Sequence, residues 1–169
     1  MTPAAELKGL MRRKPRLTLA VAESLTCGHV QAAIGAVSGA SDYFVGGVTT
    51  YTLEQKVKLL GVNRGHARRV NCVSQRVAVE MAQGACVLFG ADLAVATTGY
   101  AEPSRADGIK SPMAWWALCH RKRGGRAVVI SGQVEMPGAT RGQAQERVTR
   151  EVLGALVAYL REARGIEGL

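Results

Sequence analysis

The chain has 169 residues, 47% of them hydrophobic and 21% charged, and carries a formal net charge of +9 at pH 7. This length can bury a substantial core, and this composition excludes an intrinsically disordered chain. The positive charge suits nucleic acid, an anionic small ligand, or simply a basic surface. Because the basic residues are scattered and aromatic residues make up only 5% of the chain, nucleic acid is the least favoured partner.

Cysteine spacing and the N-terminal sequence bear on the compartment. The four cysteines, Cys27, Cys72, Cys86 and Cys119, form no Cys-x-x-Cys pair, so neither a zinc site nor a disulfide framework is expected and reduced thiols are predicted. The first residues contain no apolar signal core, and no stretch reaches the roughly 18 apolar residues of a membrane span. We therefore predict a cytoplasmic protein that does not associate with membranes.

Helices and strands alternate in the first part of the chain. Thr2-Pro3 is a helix-start signal, and Pro15 ends that helix. Hydrophobic periodicity and the turn residues predict a further four elements. These are a buried strand at 17–22, a helix at 26–36, a strand at 44–52 that Gly46-Gly47 weakens, and a short helix at 53–60 that ends at Gly61.

The second part begins with the clearest helix, which Ser74 caps and Gly90 closes. A third buried strand is predicted at 93–97, followed by a polar loop at 99–112. Two further strands, 113–120 and 127–135, flank the charged turn 121–125, which is typical of an antiparallel hairpin. A long amphipathic helix at 144–164 completes the chain.

This order of elements predicts an α/β fold in a single domain over residues 1–169. We expect three layers, α/β/α, around a mixed, mostly parallel sheet of five to six strands. In such sheets, ligands bind in the loops beyond the carboxyl ends of the strands. Three loops of this kind, 23–28, 51–56 and 97–104, are therefore the candidate site.

The first candidate loop contains Ser24 at a strand end, directly before a predicted helix. A serine there can be a nucleophile while the helix amides hold an oxyanion or a phosphate. From spacing alone, the favoured interpretation is that Ser24 or Thr26 is a simple helix cap. Cys27 is a second possible nucleophile, although burial is the more common role of a single cysteine.

The other two loops offer a base and backbone donors. Lys56 can activate a serine hydroxyl only if it is desolvated, and Tyr51 could orient a proton; a solvated helix lysine is the alternative. Gly99, after Thr98, would let backbone amides approach a ligand closely. The histidines His29, His66 and His120 show no metal-ligand spacing.

Several separated motifs occur together in one order. Segment 22–28 reads Ala-Glu-Ser-Leu-Thr-Cys-Gly, and Tyr51 precedes Lys56 by five residues. The remaining motifs are Gly39-Ala40-Ser41, Phe44 with Gly46-Gly47-Val48, Leu60-Gly61-Val62, Val73-Ser74, Gly90-Ala91-Asp92 and Thr98-Gly99. Over about 17–160 the chain resembles the CinA C-terminal family, whose patterns include Ala-Glu-Ser-x-Thr-Gly-Gly and Tyr-Ser-Asn-x-x-Lys.

The resemblance implies an amidohydrolase that converts nicotinamide mononucleotide to nicotinate mononucleotide and ammonia, without a cofactor or a metal. It implies Ser24 as the nucleophile, Lys56 as the base and Tyr51 as its assistant. The partner would be a phosphate-bearing nucleotide, and a homodimer is expected from the base rate of compact enzymes. The implied substrate-binding residues are Glu23, Thr26, Gly28, Gly47, Thr98, Gly99 and Arg141.

Four positions depart from the family patterns. Cys27 and Leu53 replace a glycine and an asparagine, Glu102 stands in a glycine-rich segment, and Thr140 stands where the family has an arginine, with Arg141 one place later. Glu102 adds bulk and negative charge to a presumed ligand loop. Two alternatives to the amidase therefore stay open. One is a silent or differently selective nucleotide-binding paralogue, and the other is a competence-linked DNA-associated protein.

Overall fold

A mixed five-stranded sheet in the order β2-β1-β3-β4-β5 forms the centre of the molecule. The computed structural model describes residues 2–122 and 124–166. The strands are β1 (Leu19–Glu23), β2 (Phe44–Thr49), β3 (Leu93–Tyr100), β4 (Met113–His120) and β5 (Val128–Glu135). The helices are α1 (Pro3–Arg12), α2 (His29–Gly35), α3 (Leu53–Leu60), α4 (Arg64–Arg69), α5 (Gln75–Phe89) and α6 (Arg141–Ala163).

Strand directions place four carboxyl ends at one edge of the sheet. Strand β1 runs parallel to both β2 and β3, β4 is antiparallel to β3, and β5 is antiparallel to β4. Four of the five strands therefore point the same way, which confirms the predicted mixed, mostly parallel sheet. The loops that leave β1, β2 and β3 lie together at this edge.

Successive side chains of β1 point to opposite faces of the sheet, and each face is covered by a layer of helices. Leu19 and Val21 join the core with α1, α2 and α6 on one face. Ala20 and Ala22 join the core with α3, α4 and α5 on the other. Because β1 is central and covered on both faces, its residues are all buried, as expected for a continuous apolar strand. The predicted α/β/α layering is confirmed.

The observed bounds differ from the predicted ones where local hydrogen bonds decide them. Helix α6 begins at Arg141 and not at 144, because Thr140 and Gln143 form a capping box. Helix α2 begins at His29 and not at 26, because Gly28 has a left-handed φ of 97°. Strand β2 ends at Thr49, before the predicted 52, and β3 continues to Tyr100, beyond 97.

Two more differences concern segments with weak signals. Helix α4 was not predicted, since Ala67 is its only buried residue and no apolar stripe marks it. The expected hairpin is present, with β4 and β5 paired from His120 and Val128 to Met113 and Glu135. Arg123 in its turn lies outside the described residues.

Two glycine substitutions should change stability in opposite directions, because only one of the two glycines lies where α3 and α5 approach closely. A Cβ at Gly84 would lie 2.1 Å from the carbonyl oxygen of Leu60, whereas a Cβ at Gly154 in α6 would meet nothing within 4 Å. We expect Gly84→Ala to lower the free energy of unfolding by about 1–3 kcal/mol. Gly154→Ala should raise it by about 0.5–1 kcal/mol. Urea unfolding measures both, and a neutral Gly84→Ala would contradict this packing.

Candidate active site

A cavity of about 440 Å³ opens at the carboxyl edge of the sheet. The loop after β1, the loop that leads into α3, the end of β3 and the start of α6 enclose it. The predicted site residues that line this cavity are Ser24, Tyr51, Lys56, Thr98, Gly99 and Arg141. Residues from distant parts of the sequence are thus brought together, as the three candidate loops predict.

Lys56 lies beneath the cavity with its side chain directed at Ser24. Its Nζ is 2.9 Å from Ser24 Oγ, and it donates to the carbonyl oxygens of Thr50 at 2.8 Å and Tyr51 at 3.1 Å. Only 1% of Lys56 and 7% of Ser24 is exposed. The possibility that Lys56 is a solvated helix lysine is therefore wrong, because α3 turns this side chain into the protein.

Burial lowers the pKa of Lys56, and the nearby Cys72 opposes that shift. No carboxylate forms an ion pair with Lys56 within the described part of the chain. A neutral amine has two N–H donors and one lone pair. The carbonyl oxygens of Thr50 and Tyr51 can take the two donors, which leaves the lone pair for the hydroxyl proton of Ser24. The geometry suits a lysine that accepts a proton from serine.

The carboxylate of Glu23 fixes the loop that carries Ser24. One oxygen accepts from the backbone N–H groups of Gly28 at 2.9 Å and Val30 at 3.1 Å, and the other accepts from Gln31 at 2.9 Å. Glu23 is fully buried. It thus satisfies the N-terminal donors of α2 and occupies the place that a helix-cap side chain would take.

Neither serine nor threonine caps α2, so the simple-cap interpretation of Ser24 or Thr26 is wrong. The hydroxyl of Thr26 shares a 2.7 Å hydrogen bond with that of Thr97. Ser24 Oγ contacts Lys56 instead of the helix amides. The structure therefore leaves the Ser24 hydroxyl available to the cavity.

Four predicted substrate-binding residues do not line the cavity, namely Glu23, Thr26, Gly28 and Gly47. The contacts of Glu23, Thr26 and Gly28 are the internal hydrogen bonds described above. A Cβ at Gly47 would lie 2.4 Å from the side-chain oxygen of Gln31, so this glycine leaves room for that side chain. Their assignment as ligand contacts stays a prediction without a contact in its favour.

Thr98 and Gly99 line the cavity at the end of β3. The Thr98 hydroxyl donates to the carbonyl oxygen of Cys72 at 2.7 Å and holds the neighbouring loop. A Cβ at Gly99 would lie 2.3 Å from the carbonyl oxygen of Met113. Gly99 therefore lets strand β4 approach closely, and because it also lines the cavity, its assignment as a ligand contact stays a prediction.

At the mouth of the cavity, Arg141 and Glu102 form an ion pair with 2.7 Å between Nη2 and Oε1. The hydrogen bond from Arg141 lowers the pKa of Glu102. Glu102 and then the hydroxyl of Tyr51 raise the pKa of Arg141. Tyr51 is 54% exposed and meets Lys56 only through its carbonyl oxygen. Its side chain therefore belongs to the mouth, beside Arg141.

One wall of the cavity was not predicted at all. The loop Asn71-Cys72-Val73 lines it, and Asn71 and Cys72 have φ values of 46° and 62°. Two consecutive non-glycine residues in this region are uncommon. The Asn71 amide donates to the hydroxyl of Tyr100 at 3.0 Å. The tolerance of asparagine for left-handed backbone was the single sequence signal for this turn.

The other departures from the family patterns occupy defined places. Cys27 is exposed and has a left-handed φ of 47°, and it does not line the cavity. Leu53 opens α3 and lines the cavity. Thr140 is the cap of α6, so it positions Arg141 as the first helical residue.

The histidines lie in separate surroundings. His66 contacts the Ser74 hydroxyl at 3.0 Å, and His120 contacts the Tyr159 hydroxyl at 2.7 Å. Over residues 2–122 and 124–166, no three His, Cys, Asp or Glu side chains cluster as a metal site. In the same ranges, no helix has the length and apolar character needed to cross a membrane.

Fold and site together define a three-layer α/β domain with a buried serine–lysine pair at the carboxyl edge of its sheet. Residues 2–160 match the family model of the CinA C-terminal domain. The chain belongs to this family, which confirms the resemblance found in its motifs.

Curated relatives and solved structures agree with this assignment. A CinA-like protein of Chlorobium limicola is 38% identical over 168 residues, which cover 97% of this chain and 38% of the relative. The competence damage-inducible protein A (ComA) of Klebsiella pneumoniae has a TM-score of 0.83 at 28% identity, with 94% of both chains covered. The CinA superfamily protein of Enterobacter cloacae also has a TM-score of 0.83, at 26% identity. The chain thus spans less than half the length of the curated relative it matches.

The lowered pKa of Lys56 makes a prediction about stability. Between that pKa and the unfolded value of about 10.4, the unfolded state binds more protons at Lys56, so this residue makes stability rise with pH. Relative to Lys56→Met, the free energy of unfolding of the unmodified chain should rise by up to about 1.4 kcal/mol per pH unit in this window. Urea unfolding between neutral and alkaline pH measures the difference.

The exposed Lys58 on the same helix provides the control. Lys58→Met measures the effect of removing a lysine charge from the same helix at each pH. An equal pH dependence for Lys56→Met would show that Lys56 keeps an ordinary pKa.

Proposed function

We propose that this chain is a serine-dependent amidohydrolase that converts nicotinamide mononucleotide to nicotinate mononucleotide and ammonia. The observation that carries the proposal is the buried contact between Lys56 Nζ and Ser24 Oγ at the base of an open cavity. Family membership supports it, since the sequence resemblance implies the same two residues. The absence of a carboxylate beside Lys56 in the described chain supports a neutral base.

In the proposed reaction, Lys56 takes the hydroxyl proton of Ser24 as Oγ attacks the carboxamide carbon of the substrate. The developing negative charge on the amide oxygen needs preorganised donors. Leu25 lines the cavity directly after Ser24, and its backbone N–H has no acceptor among the described residues. We assign this amide as one donor of the oxyanion site.

Lys56 then returns the proton to the departing nitrogen, and ammonia leaves an acyl-enzyme on Ser24. Water attacks this ester with Lys56 again as the base, which releases the nicotinate carboxylate and restores the serine hydroxyl. Burial serves both steps, because a lysine with its ordinary pKa would stay protonated near neutral pH. The sequence of steps uses only groups of this chain and water.

Arg141 is the cavity-lining cation that could reach a substrate phosphate at the mouth. It is paired with Glu102, and both side chains are well exposed. A phosphate must therefore compete with a carboxylate that is already in place. This observation favours the second candidate, a nucleotide-binding paralogue with a different substrate preference. In that case the preferred amide would carry less negative charge than nicotinamide mononucleotide.

Two substitutions test the catalytic pair directly. Ser24→Ala and Lys56→Met should each reduce ammonia release from nicotinamide mononucleotide by at least about a thousand-fold. Cys27→Ser is the matched control for a rival nucleophile in the same loop, and it should keep full activity. Steady-state ammonia assays on folded variants decide the matter. If activity survives in Ser24→Ala but is lost in Cys27→Ser, the nucleophile is Cys27 and not Ser24.

Removing the charge of Glu102 tests the role of the ion pair. Glu102→Gln frees Arg141, so KM for nicotinamide mononucleotide should fall by roughly two- to five-fold, the scale of an exposed pair. KM for nicotinamide riboside, which has no phosphate, should stay the same. Glu135→Gln, an exposed residue outside the cavity, removes the same charge as a control. Equal changes for both substrates would show that Arg141 does not bind the phosphate.

A further inference from the structure

A second and larger cavity, of about 650 Å³, opens at the opposite edge of the sheet. It lies where β1 and β3 begin and β4 ends, between the α1–β1 connection and the last turn of α6. Leu17 and Leu160 form part of its floor. The proposed amidase chemistry does not involve this cavity.

The residues that line this second cavity, called the basic cavity below, are mainly positively charged. Asp92 is the only acidic residue among its described lining residues. Six cationic side chains surround it, namely Arg13, Lys14, Arg16, Arg121, Lys122 and Arg164. The carboxylate of Asp92 already accepts two hydrogen bonds, from the backbone N–H and the hydroxyl of Thr18, each at 2.9 Å. One oxygen of Asp92 thus joins the starts of β1 and β3, while its negative charge opposes the burial that lowers the pKa of His120.

Two of the six cations have structural partners. Arg164 donates to the carbonyl oxygens of Arg13 at 3.3 Å and Pro15 at 3.2 Å. Arg121 donates to the carbonyl oxygen of Cys86 at 3.3 Å. Cations at helix C-termini commonly satisfy carbonyl groups in this way. This explanation covers Arg164 and Arg121, whereas the other four cations line the cavity as exposed side chains.

The side chains of Arg13, Lys14, Arg16 and Lys122 form no ion pair with any described residue. The charges of these cations also affect neighbouring groups that line the cavity. Burial and then Arg13 lower the pKa of Arg164, and burial and then Lys122 lower the pKa of His120. The Nε of Arg164 is also buried without a partner in the described chain. An anion in the cavity would offset the repulsion among these cations.

We propose that the basic cavity binds a small, multiply phosphorylated anion of about the size of a nucleoside polyphosphate. Its volume lies within the roughly 300–1,000 Å³ of small-molecule sites. Its cations converge from three segments around a concavity, whereas a nucleic acid is usually bound by an extended basic groove with stacking aromatics. No Phe, Tyr or Trp is among its described lining residues. These features favour a compact anion over a polynucleotide.

Calorimetric titration of the whole chain with inorganic tripolyphosphate at low ionic strength tests this proposal. Lys14→Glu/Lys122→Glu should weaken binding by roughly ten-fold or more, because two attractive contacts become repulsive. The matched control is Lys58→Glu/Arg147→Glu, which changes two exposed cations outside both cavities. Each double variant lowers the formal net charge of +9 by four. The control should retain affinity within about two-fold.

Three results would overturn the proposal. Equal weakening in both double variants would show a general effect of net charge. Loss of binding in Arg141→Ala, with retention in Lys14→Glu/Lys122→Glu, would place the anion in the candidate active site. Tighter binding of a single-stranded oligonucleotide than of tripolyphosphate, lost in the same double variant, would assign the surface to nucleic acid.

One measurement does not depend on the folding of any variant. Amide chemical shifts of the unmodified chain during titration with tripolyphosphate should move first at Arg16 and His120. Shifts confined to Ser24 and Arg141 would contradict the proposal. Ammonia release from nicotinamide mononucleotide should be unchanged in Lys14→Glu/Lys122→Glu, so a failure of this proposal is distinguishable from a failure of the proposed amidase.

Discussion

The hydrogen bond between Lys56 and Ser24 forms in a place where the protein buries the lysine amine away from water. Helix α3 is short, with Thr52 capping its start and Gly61 ending it. Its Lys56 faces inward because Leu60, one turn later, packs against α5 at Gly84, where no side chain could fit. The central strand β1 carries Ser24 to the same point, and the Glu23 carboxylate holds the loop there. Two chain segments 32 residues apart therefore meet without a charged partner, and this burial lowers the pKa of Lys56.

Much of the fold was predictable because its elements have strong local signals. Ser74 and Gly90 bound α5 as caps, and the apolar run of β1 predicts a strand covered on both faces. Helix α4 was missed, since a helix with one buried residue leaves no hydrophobic period in the sequence. Helices α2 and α6 also begin later and earlier, respectively, than predicted, because local caps determine their first residues. Local patterns thus predict elements well and their ends less well, because the ends depend on single hydrogen bonds.

The site was predictable only in part, and for a different reason. Ser24 and Lys56 follow from the resemblance, and strand direction explains why their loops meet. The contact between Arg141 and Glu102 joins residues 39 apart in sequence, and no local rule specifies it. The left-handed turn at Asn71 and Cys72 is equally hidden, since its backbone is held by the hydroxyl of Thr98. Glycines were an uneven guide, because Gly47 does not line the cavity, whereas Gly99 lines it and also lies against strand β4.

Charge is divided unequally between the two edges of the sheet, and this changes how the net charge of +9 is understood. The sequence suggested that the positive charge suits a phosphate-bearing substrate. At the carboxyl edge, however, burial lowers the pKa of Lys56 and Glu102 neutralises Arg141, so little net charge remains there. At the opposite edge, six cations and one carboxylate, Asp92, line the second cavity, and Asp92 is hydrogen-bonded to Thr18. Six of the 22 lysine and arginine residues thus line the second cavity, and the net charge of the chain is weak support for any substrate of the first.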